Sequence, residues 1–259
     1  MDKPFAIDLF TGLHGWGDGL VSEGYRVVGF DLEDMCGQFG VARHPDIQLV
    51  LQDVLTLHGK QFKDAALIVA SPPCQAYSYR AMPWKRAKAL PPPDNSLFEA
   101  CFRIQREACE AAGRHIPLVV ENVRGAQKWV GRSRWNFGSF HLWGDVPALM
   151  PITFKGTKHD GSGWRENGTL KSCNRMVPDA INDPDGRKVG KDWFGGYGGG
   201  FGWDCSPMRR NSSKSKARKA ASAKIAKIPF PLAQYIARVY KPQLKPLNRK
   251  AVGLLQFRA

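Results

Sequence analysis

Short runs of apolar, often β-branched residues recur along the first half of the chain, each followed by a polar or glycine-rich stretch. The runs FAIDLF (5–10), YRVVGFDL (25–32), IQLVLQDV (47–54), ALIVAS (66–71), IPLVVENV (116–123) and SFHLWG (139–144) predict six strands. Their apolar positions are continuous rather than alternating, which is typical of strands buried on both faces. Helical patterns between them indicate a doubly wound α/β fold with a mostly parallel sheet.

Helical periodicity is clearest in three places. A helix near 16–23 follows the first strand, and a longer one begins at residue 96, where Ser96 and Glu99 have the spacing of a capping box and Gly113 is a natural end. The stretch PFPLAQYIARVY (229–240) predicts a helix opened by proline. The positions expected on its buried face are Leu232, Ile236 and Val239 or Tyr240.

The pattern weakens after about residue 150. Residues 150–215 are rich in Gly, Asp, Asn and Trp and predict a small, loop-rich lobe. Residues 206–229 are basic and contain few large apolar side chains, so we expect them to be exposed until a partner binds.

Composition narrows the class of protein. A chain of 259 residues suits one α/β domain with additions. The six cysteines show no metal-ligand spacing, which favours free thiols, a cytoplasmic location and no metal. No apolar run approaches the roughly 20 residues of a membrane span, and the first residues do not resemble a secretion signal.

The net charge of +15 is concentrated near the end of the sequence. Residues 205–259 contain 14 Lys and Arg and no Asp or Glu, which leaves 24 basic and 23 acidic residues in 1–204. A segment of one sign suggests a polyanionic partner, most simply nucleic acid, although a solvated tail would have the same composition.

A glycine-rich turn follows the first strand in DLFTGLHGWGDGL (8–20). Glycines there let the backbone approach a ligand closely. Asp8, Asp31 and Asp53 lie at or near the ends of the first three strands. Because ligands bind beyond the carboxyl ends of parallel strands, these acids predict an adenosine site, with Asp31 on the ribose and Asp53 on the adenine amino group. Each acid alone could equally be a solvated loop residue or a cap.

Cys74 follows the fourth strand in SPPCQAYS (71–78), at the same predicted sheet edge. The two prolines before it fix φ and remove N–H donors, which would hold the thiol in one direction. Glu121 ends the fifth strand, which lies next to the fourth if the winding is regular. A thiol and a carboxyl at neighbouring strand ends suit nucleophilic and acid catalysis, although either residue alone could be structural.

These motifs resemble those of the C5-cytosine methyltransferases, in the same order. DLFTGLHGWGDGL is similar to their first motif, SPPCQAYS to the start of their catalytic loop, and VVENV to their Glu-Asn-Val motif. GRSRWNFGSF is similar to their Arg-x-Arg motif and IPFPLAQYIA to their last motif. The resemblance implies a Rossmann-like methyltransferase sheet and methyl transfer from S-adenosylmethionine to C5 of a cytosine flipped out of double-stranded DNA, carried out by a monomer.

The resemblance also implies roles for individual residues. Cys74 would add to C6 of the base, Glu121 would contact N3 and the exocyclic amine, and Arg134 would hold O2. Arg132 is the matching first arginine, and Asn122 would support the proline–cysteine loop. The residues that it places around the cofactor are Asp8, Phe10, Gly12, Gly15, Asp31, Leu32, Asp53, Val54, Ser71 and Pro73. Those that it places on DNA are Gln75, Ser78, Tyr79, Arg80, Trp84, Lys85, Arg86 and Arg175.

By the same resemblance the chain divides into three parts: a catalytic, S-adenosylmethionine-binding domain at 1–149, a target-recognition region at 150–215, and a basic segment at 216–259 whose helix returns to the catalytic domain. Three positions depart from the family's pattern. His14 stands where glycine is usual and Val130 where glutamine is frequent, and Lys227 lies where a Gly-Asn pair usually precedes the last motif's proline.

Two other functions fit these residues. The related tRNA-methylating enzymes use the same chemistry on an unpaired base, and a small recognition lobe would suit that substrate. A catalytically silent nucleic-acid-binding protein would keep the fold, but the presence of Cys74, Glu121 and Arg134 argues against it. The target sequence stays open, as does a role in restriction–modification, protection of viral DNA or gene regulation.

Overall fold

A computed structural model of the chain describes residues 3–78, 89–150 and 216–242, which form a seven-stranded sheet with helices on both faces. The strands are β1 (Phe5–Leu9), β2 (Arg26–Asp31), β3 (Ile47–Leu51), β4 (Leu67–Ala70), β5 (Leu118–Asn122), β6 (Trp135–Phe137) and β7 (Phe140–Gly144). Their spatial order is β3-β2-β1-β4-β5-β7-β6. Strands β1 to β5 are parallel, and β7 is antiparallel to both of its neighbours. The predicted doubly wound, mostly parallel α/β sheet is therefore confirmed.

Helices cover the two faces of this sheet. They are α1 (Gly15–Ser22), α2 (Met35–Phe39), α3 (Ser96–Ala112), α4 (Gln127–Val130), α5 (Lys216–Ala226) and α6 (Phe230–Tyr240). On one face, alternate residues of the central strands pack with Phe98 and Ile104 of α3. On the other face, the remaining strand residues pack with Trp16 of α1 and with Leu232 and Ile236 of α6. Within the three described ranges no helix is both long and apolar enough to cross a bilayer.

Several local predictions were wrong at element ends. The capping box at α3 does not form, because Asn95 occupies the N-cap position and the Ser96 N–H donates to Asp94 Oδ1 at 2.8 Å. The third strand ends at Leu51, three residues early, because Asp53 starts a 3₁₀ turn at Val54–Thr56. These errors arise because capping depends on which nearby side chain reaches an N–H first, and neighbouring candidates have similar energies.

Other elements had no clear signal in the sequence. The three-residue β6 was missed because one of its side chains alone, Phe137, is buried, and the five-residue α2 was missed as well. Residues 216–226 form the helix α5, for which no helical pattern was noted in the sequence, and its described lysines are exposed as expected. In α6 the buried face includes the half-buried Tyr240 rather than Val239, which is exposed.

The contact between α1 and α6 depends on glycine. A Cβ added at Gly19 would overlap Ala233 Cβ and would lie 2.5 Å from both Ala233 C and Gln234 N. Because backbone atoms cannot move away cheaply, we expect Gly19→Ala to lower the free energy of unfolding by about 1–3 kcal/mol. Urea unfolding monitored by circular dichroism measures this. Ser22→Ala in the same helix is the control, with an expected change below about 0.5 kcal/mol; equal stability of Gly19→Ala and wild type would contradict the packing.

Candidate functional site

The candidate site lies where the parallel strands end. Leu9 of β1 pairs with Phe30 of β2 and with Ala70 of β4, and Ala70 in turn pairs with Val120 of β5. The residues that follow these positions therefore meet at one edge of the sheet. The predicted adjacency of the fourth and fifth strands is confirmed, so Glu121 is level with Ser71 at the start of the proline–cysteine loop.

The loop that carries Cys74 is held by β5 before the cysteine and by the N-cap residue of α3 after it. Asn122, which is almost fully buried, donates from Nδ2 to the carbonyl oxygen of Pro72 at 3.0 Å. The Tyr77 N–H donates to the Cys74 carbonyl at 3.0 Å, and the Tyr77 hydroxyl bonds Asn95 Oδ1 at 2.9 Å. The loop therefore forms a turn at residues 75–77 rather than a helix. These anchors on either side of Cys74 restrict the direction of its thiol.

The environment of Cys74 differs from that of a structural cysteine. Cys36, Cys74, Cys101 and Cys109 form no disulfide within the part of the chain that the structure describes, and Cys74 is partly exposed. Cys101 lies within α3 with no exposed surface, and burial raises the pKa of its thiol, which keeps it protonated. Cys74 instead stands beyond a strand end, where a substrate can approach it.

Glu121 and Arg134 lie on opposite sides of β7 at the same level of the sheet. Glu121 pairs with Leu142 of β7, and the Arg134 N–H donates to the Leu142 carbonyl at 2.8 Å. Two strand spacings of about 4.8 Å place the backbones of Glu121 and Arg134 roughly 10 Å apart. The Glu121 side chain is 7% exposed, whereas Arg134 and Arg132 are exposed. The segment that leads into β6 therefore lies one strand away from the carboxyl of β5.

On the other side of the edge, Asp31 binds the glycine-rich turn. Its Oδ2 accepts the Gly12 N–H at 2.8 Å and its Oδ1 accepts the Leu32 N–H at 2.8 Å. Among the described residues, a Cβ built on Gly12, whose φ is 53°, would meet only the Phe10 carbonyl oxygen, at 4.0 Å, which leaves room above the turn. Leu32 presents an apolar side chain that is 70% exposed. A partly exposed acid, room above the turn and an exposed apolar side chain fit a nucleoside.

The other residues predicted to bind the cofactor differ in their exposure and in what they contact. Asp53 accepts the Leu55 N–H on Oδ1 at 2.9 Å as the cap of the 3₁₀ turn, and the Val54 side chain belongs to the core. Ser71 Oγ accepts the Trp16 Nε1–H at 2.9 Å, and Pro73 is exposed. Gly15 is buried where Ile228 crosses it, and a Cβ there would overlap the Ile228 backbone.

Asp8 requires a correction, because its side chain has no exposed surface and is not available to a ligand. Its Oδ2 accepts the Thr11 hydroxyl at 2.9 Å, and its Oδ1 has no hydrogen-bond partner among the described residues. Burial, with a smaller contribution from the charge of Asp31, raises the pKa of Asp8 to about 8. Asp8 therefore supports the glycine-rich turn from below.

Sequence reasoning missed two residues of this support, Thr11 and Arg43, and noted His14 only as a departure from the family's pattern. His14 is buried and lies between Thr11 and Arg43, with hydrogen bonds to both. Arg43 follows α2 in a loop without hydrophobic periodicity, so no local signal marks it. A polar Thr–x–x–His spacing directly after a buried strand is the only sequence signal present.

The segment before α6 packs beside the start of α1. Lys227 Nζ pairs with Asp18 Oδ2 at 2.7 Å, which gives this cation a partner near the glycine-rich turn.

Of the residues predicted to contact DNA, two lie in the part of the chain that the structure describes. Gln75 is exposed and Ser78 is half-buried. Tyr79, Arg80, Trp84, Lys85, Arg86 and Arg175 lie outside the described residues.

One family model and several solved structures are similar to part of the chain. Residues 5–129 match the family model described as C-5 cytosine-specific DNA methylase. Among solved structures, a DNA modification methyltransferase encoded within an E. coli prophage is 21% identical with a TM-score of 0.35, and the match covers 50% of this chain and 35% of that chain. S. pombe Dnmt2 methyltransferase is 16% identical with a TM-score of 0.33, covering 50% and 37%.

A third solved structure, the Entamoeba histolytica methyltransferase EhMeth, is 17% identical with a TM-score of 0.33, covering 51% of this chain and 41% of that chain. The chain spans between about a third and two fifths of the length of these three proteins. No curated protein matches the chain.

Proposed function

We propose, from the match of residues 5–129 to the C-5 cytosine-specific DNA methylase family model, that the chain methylates C5 of a cytosine in double-stranded DNA. S-adenosylmethionine is the methyl donor. The observation that carries the proposal is the arrangement at the ends of β4 and β5, where the loop that bears the partly exposed Cys74 starts level with Glu121 and is anchored by Asn122 through Pro72.

Cys74 acts as the nucleophile. Cytosine C5 is too weak a nucleophile to take a methyl group unaided, so the Cys74 thiolate first adds to C6, and the electron pair of the C5–C6 double bond is then available at C5. C5 forms a bond to the methyl carbon, the C5 proton is lost to water, and the C6–S bond breaks to return the thiolate. The anchors at Pro72 and Tyr77 support this role, because an oriented thiol needs less reorganisation to reach the ring.

Glu121 and Arg134 hold the base during this addition. Glu121 binds the N3 side of the ring and offsets the charge that develops there, while Arg134 reaches the O2 oxygen from the other side of β7. The register Glu121–Leu142 and the Arg134–Leu142 hydrogen bond support this division of roles, since the backbones of the two residues flank one strand. Arg132 lies beside them on the exposed surface.

The glycine-rich turn and the end of β2 bind the cofactor. The bound cofactor supplies an electrophilic methyl group and leaves as S-adenosylhomocysteine. Asp31 binds the ribose hydroxyls with lone pairs left over from its two backbone hydrogen bonds. Leu32 and Phe10 cover the adenine, and Asp53 accepts its amino group. Gly12, Gly15, Ser71 and Pro73 border the methionine end.

Nucleic acid is the substrate class that the charge supports. Removing a base from the duplex costs a few kcal/mol, which must be recovered through backbone contacts. The 14 basic residues of 205–259, without any acid, can provide such contacts. Along α5 the described side chains Lys216, Lys219 and Lys224 are all exposed. We assign target recognition to residues 150–215 and the catalytic domain to 1–149.

The proposal is tested by offering the purified protein duplex DNA and tRNA in parallel with tritiated S-adenosylmethionine. We expect label in DNA, and bisulfite sequencing of the product then reports the methylated positions. Label in tRNA alone would replace the DNA assignment by the tRNA-methylating activity. A folded protein that binds S-adenosylhomocysteine but labels neither polymer would overturn the proposed enzyme activity.

A further inference from the structure

Four side chains form a directed chain of hydrogen bonds beneath the glycine-rich turn. Arg43 Nε–H donates to His14 Nε2 at 3.0 Å. Because a guanidinium has no acceptor atom, His14 Nε2 must carry no proton, and the proton of the neutral ring lies on Nδ1. Nδ1–H then donates to Thr11 Oγ1 at 2.8 Å, and the Thr11 hydroxyl donates to Asp8 Oδ2 at 2.9 Å.

The inner part of this series of hydrogen bonds is closed to water. His14 and Thr11 are 2% and 5% exposed, and Asp8 is fully buried. Burial lowers the pKa of His14, and the adjacent positive charge of Arg43 lowers it further. The other charged groups that act on the ring are Asp18, Asp34 and Lys227. A neutral His14 is also the form that the geometry requires, since a proton on Nε2 would face the Arg43 donor.

The glycine-rich turn above these four side chains contains backbone conformations that are unfavourable for residues with a Cβ. Phe10, Gly12 and His14 have φ values of 62°, 53° and 55°, and for residues with a Cβ the left-handed region costs roughly 1–2 kcal/mol each. Gly12 and Thr11 use their N–H groups on Asp31 and on the Phe30 carbonyl. The side chains of Thr11 and His14 add the second set of attachments.

Arg43 extends the support to the neighbouring turn. Its Nη2 donates to Asp34 Oδ1 at 2.7 Å, and the same carboxyl oxygen accepts the Gly37 N–H as the cap of α2. Asp34 lies three residues after Asp31. The hydrogen bonds therefore connect the glycine-rich turn to the turn after β2, which are the two segments assigned to the methionine and ribose ends of the cofactor.

We propose that His14 is a positioning residue for the cofactor, a neutral Nδ1–H bridge that holds the turn with its left-handed residues Phe10, Gly12 and His14 in place and joins it through Arg43 to the ribose-binding turn. This rests on the proposed use of S-adenosylmethionine, and it concerns a residue that stands where the family's pattern has glycine. His14 does not contact the reacting atoms; it acts through the shape of the turn.

Thr11 provides the matched pair of variants for the test. Thr11→Ser keeps the hydroxyl and should bind S-adenosylhomocysteine within about twofold of wild type. Thr11→Val removes it and leaves a buried Nδ1–H without an acceptor, so we expect the dissociation constant to rise about tenfold. His14→Gly tolerates the positive φ but deletes both hydrogen bonds, and it should weaken binding by a similar factor. Isothermal titration calorimetry measures all three.

Binding distinguishes positioning from general stability. Thermal unfolding of the cofactor-free variants is measured alongside, as is duplex binding without cofactor, which should stay within about twofold. Equal affinity of Thr11→Val and Thr11→Ser for S-adenosylhomocysteine, at whatever melting temperature, would overturn the positioning role. A wild-type protein that does not bind S-adenosylhomocysteine would instead defeat the proposed function itself.

The tautomer gives a readout that needs no cofactor. In protein labelled with ¹⁵N-histidine, with His14→Asn used for assignment, His14 should show a protonated Nδ1 and an unprotonated Nε2 at neutral pH. Arg43→Gln should perturb the Nε2 resonance, and Thr11→Val the Nδ1 resonance. A His14 ring protonated on Nε2 would contradict the directed chain, since that nitrogen could not then accept from Arg43.

Discussion

Replacing Cys74 by serine is expected to lower methyl transfer at least about 1,000-fold while leaving the affinity for S-adenosylhomocysteine within about twofold of wild type. A serine hydroxyl at neutral pH offers almost no anion to add to C6. The cofactor residues lie on β1, β2 and the turns that follow them, so binding should survive the change. Single-turnover methyl transfer and calorimetry measure the two quantities separately.

A second measurement tests the covalent bond directly. With duplex DNA that carries 5-fluorocytosine, the C5 substituent cannot leave as a proton, so wild-type protein and DNA should remain joined after denaturation. Cys74→Ser should give no such complex. Cys109→Ser is the matched control, because Cys109 is also a partly buried free thiol but lies in α3, and this variant should trap DNA normally. A complex that persists in Cys74→Ser, or disappears in Cys109→Ser, would refute the assignment.

The buried carboxyl of Asp8 should make the protein less stable as the pH rises. Because burial raises the pKa of Asp8 from 3.8 to about 8, the folded state holds a proton that the unfolded chain releases near pH 4. The stabilisation from this proton is complete below about pH 4 and is lost as the pH rises through about 8. Between pH 5 and pH 8 the resulting loss is about 4 kcal/mol, at roughly 1.4 kcal/mol for each pH unit.

Asp8→Asn should remove this dependence, because asparagine can accept the Thr11 hydroxyl without ever becoming charged. Urea unfolding at several pH values should show the difference between variant and wild type growing with pH, in favour of the variant. Asp94→Asn is a control in which the pKa of the replaced carboxyl is shifted in the opposite direction. The hydrogen bond from the Ser96 N–H lowers the pKa of Asp94, so the effect of Asp94→Asn on stability should be constant from pH 5 to pH 8 and change only at lower pH. Parallel curves for wild type and Asp8→Asn would contradict the raised pKa.

The local pattern of apolar residues and motifs was sufficient to predict the sheet and the position of the candidate site. Six strands were predicted from continuous apolar runs, and each is present; the central strands β1, β4 and β5 are buried along almost their whole length because they are parallel and covered on both faces. The order of strands and motifs then implied that Cys74 and Glu121 follow neighbouring strands, which the register of β4 and β5 confirms. Both inferences depend on short stretches of chain whose chemistry is visible in the sequence.

The tightest packing and the hydrogen-bond partners could not be predicted from the sequence pattern. Strand β6, which places Arg134 level with Glu121, has one buried side chain and is held in place by β7. Asp8 was expected to meet a ligand and is instead enclosed beneath the turn.

His14 lies 29 residues from Arg43 in the sequence, yet the two side chains are in hydrogen-bond contact. Periodicity and motif spacing report on contacts within a few residues, whereas burial and long-range hydrogen bonds depend on which segments the folded sheet brings together. The strands and the chemical residues of this protein are therefore visible in its sequence, but the ionisation of Asp8 and the support of its glycine-rich turn arise only from the packing of β1, α1 and the Arg43 loop.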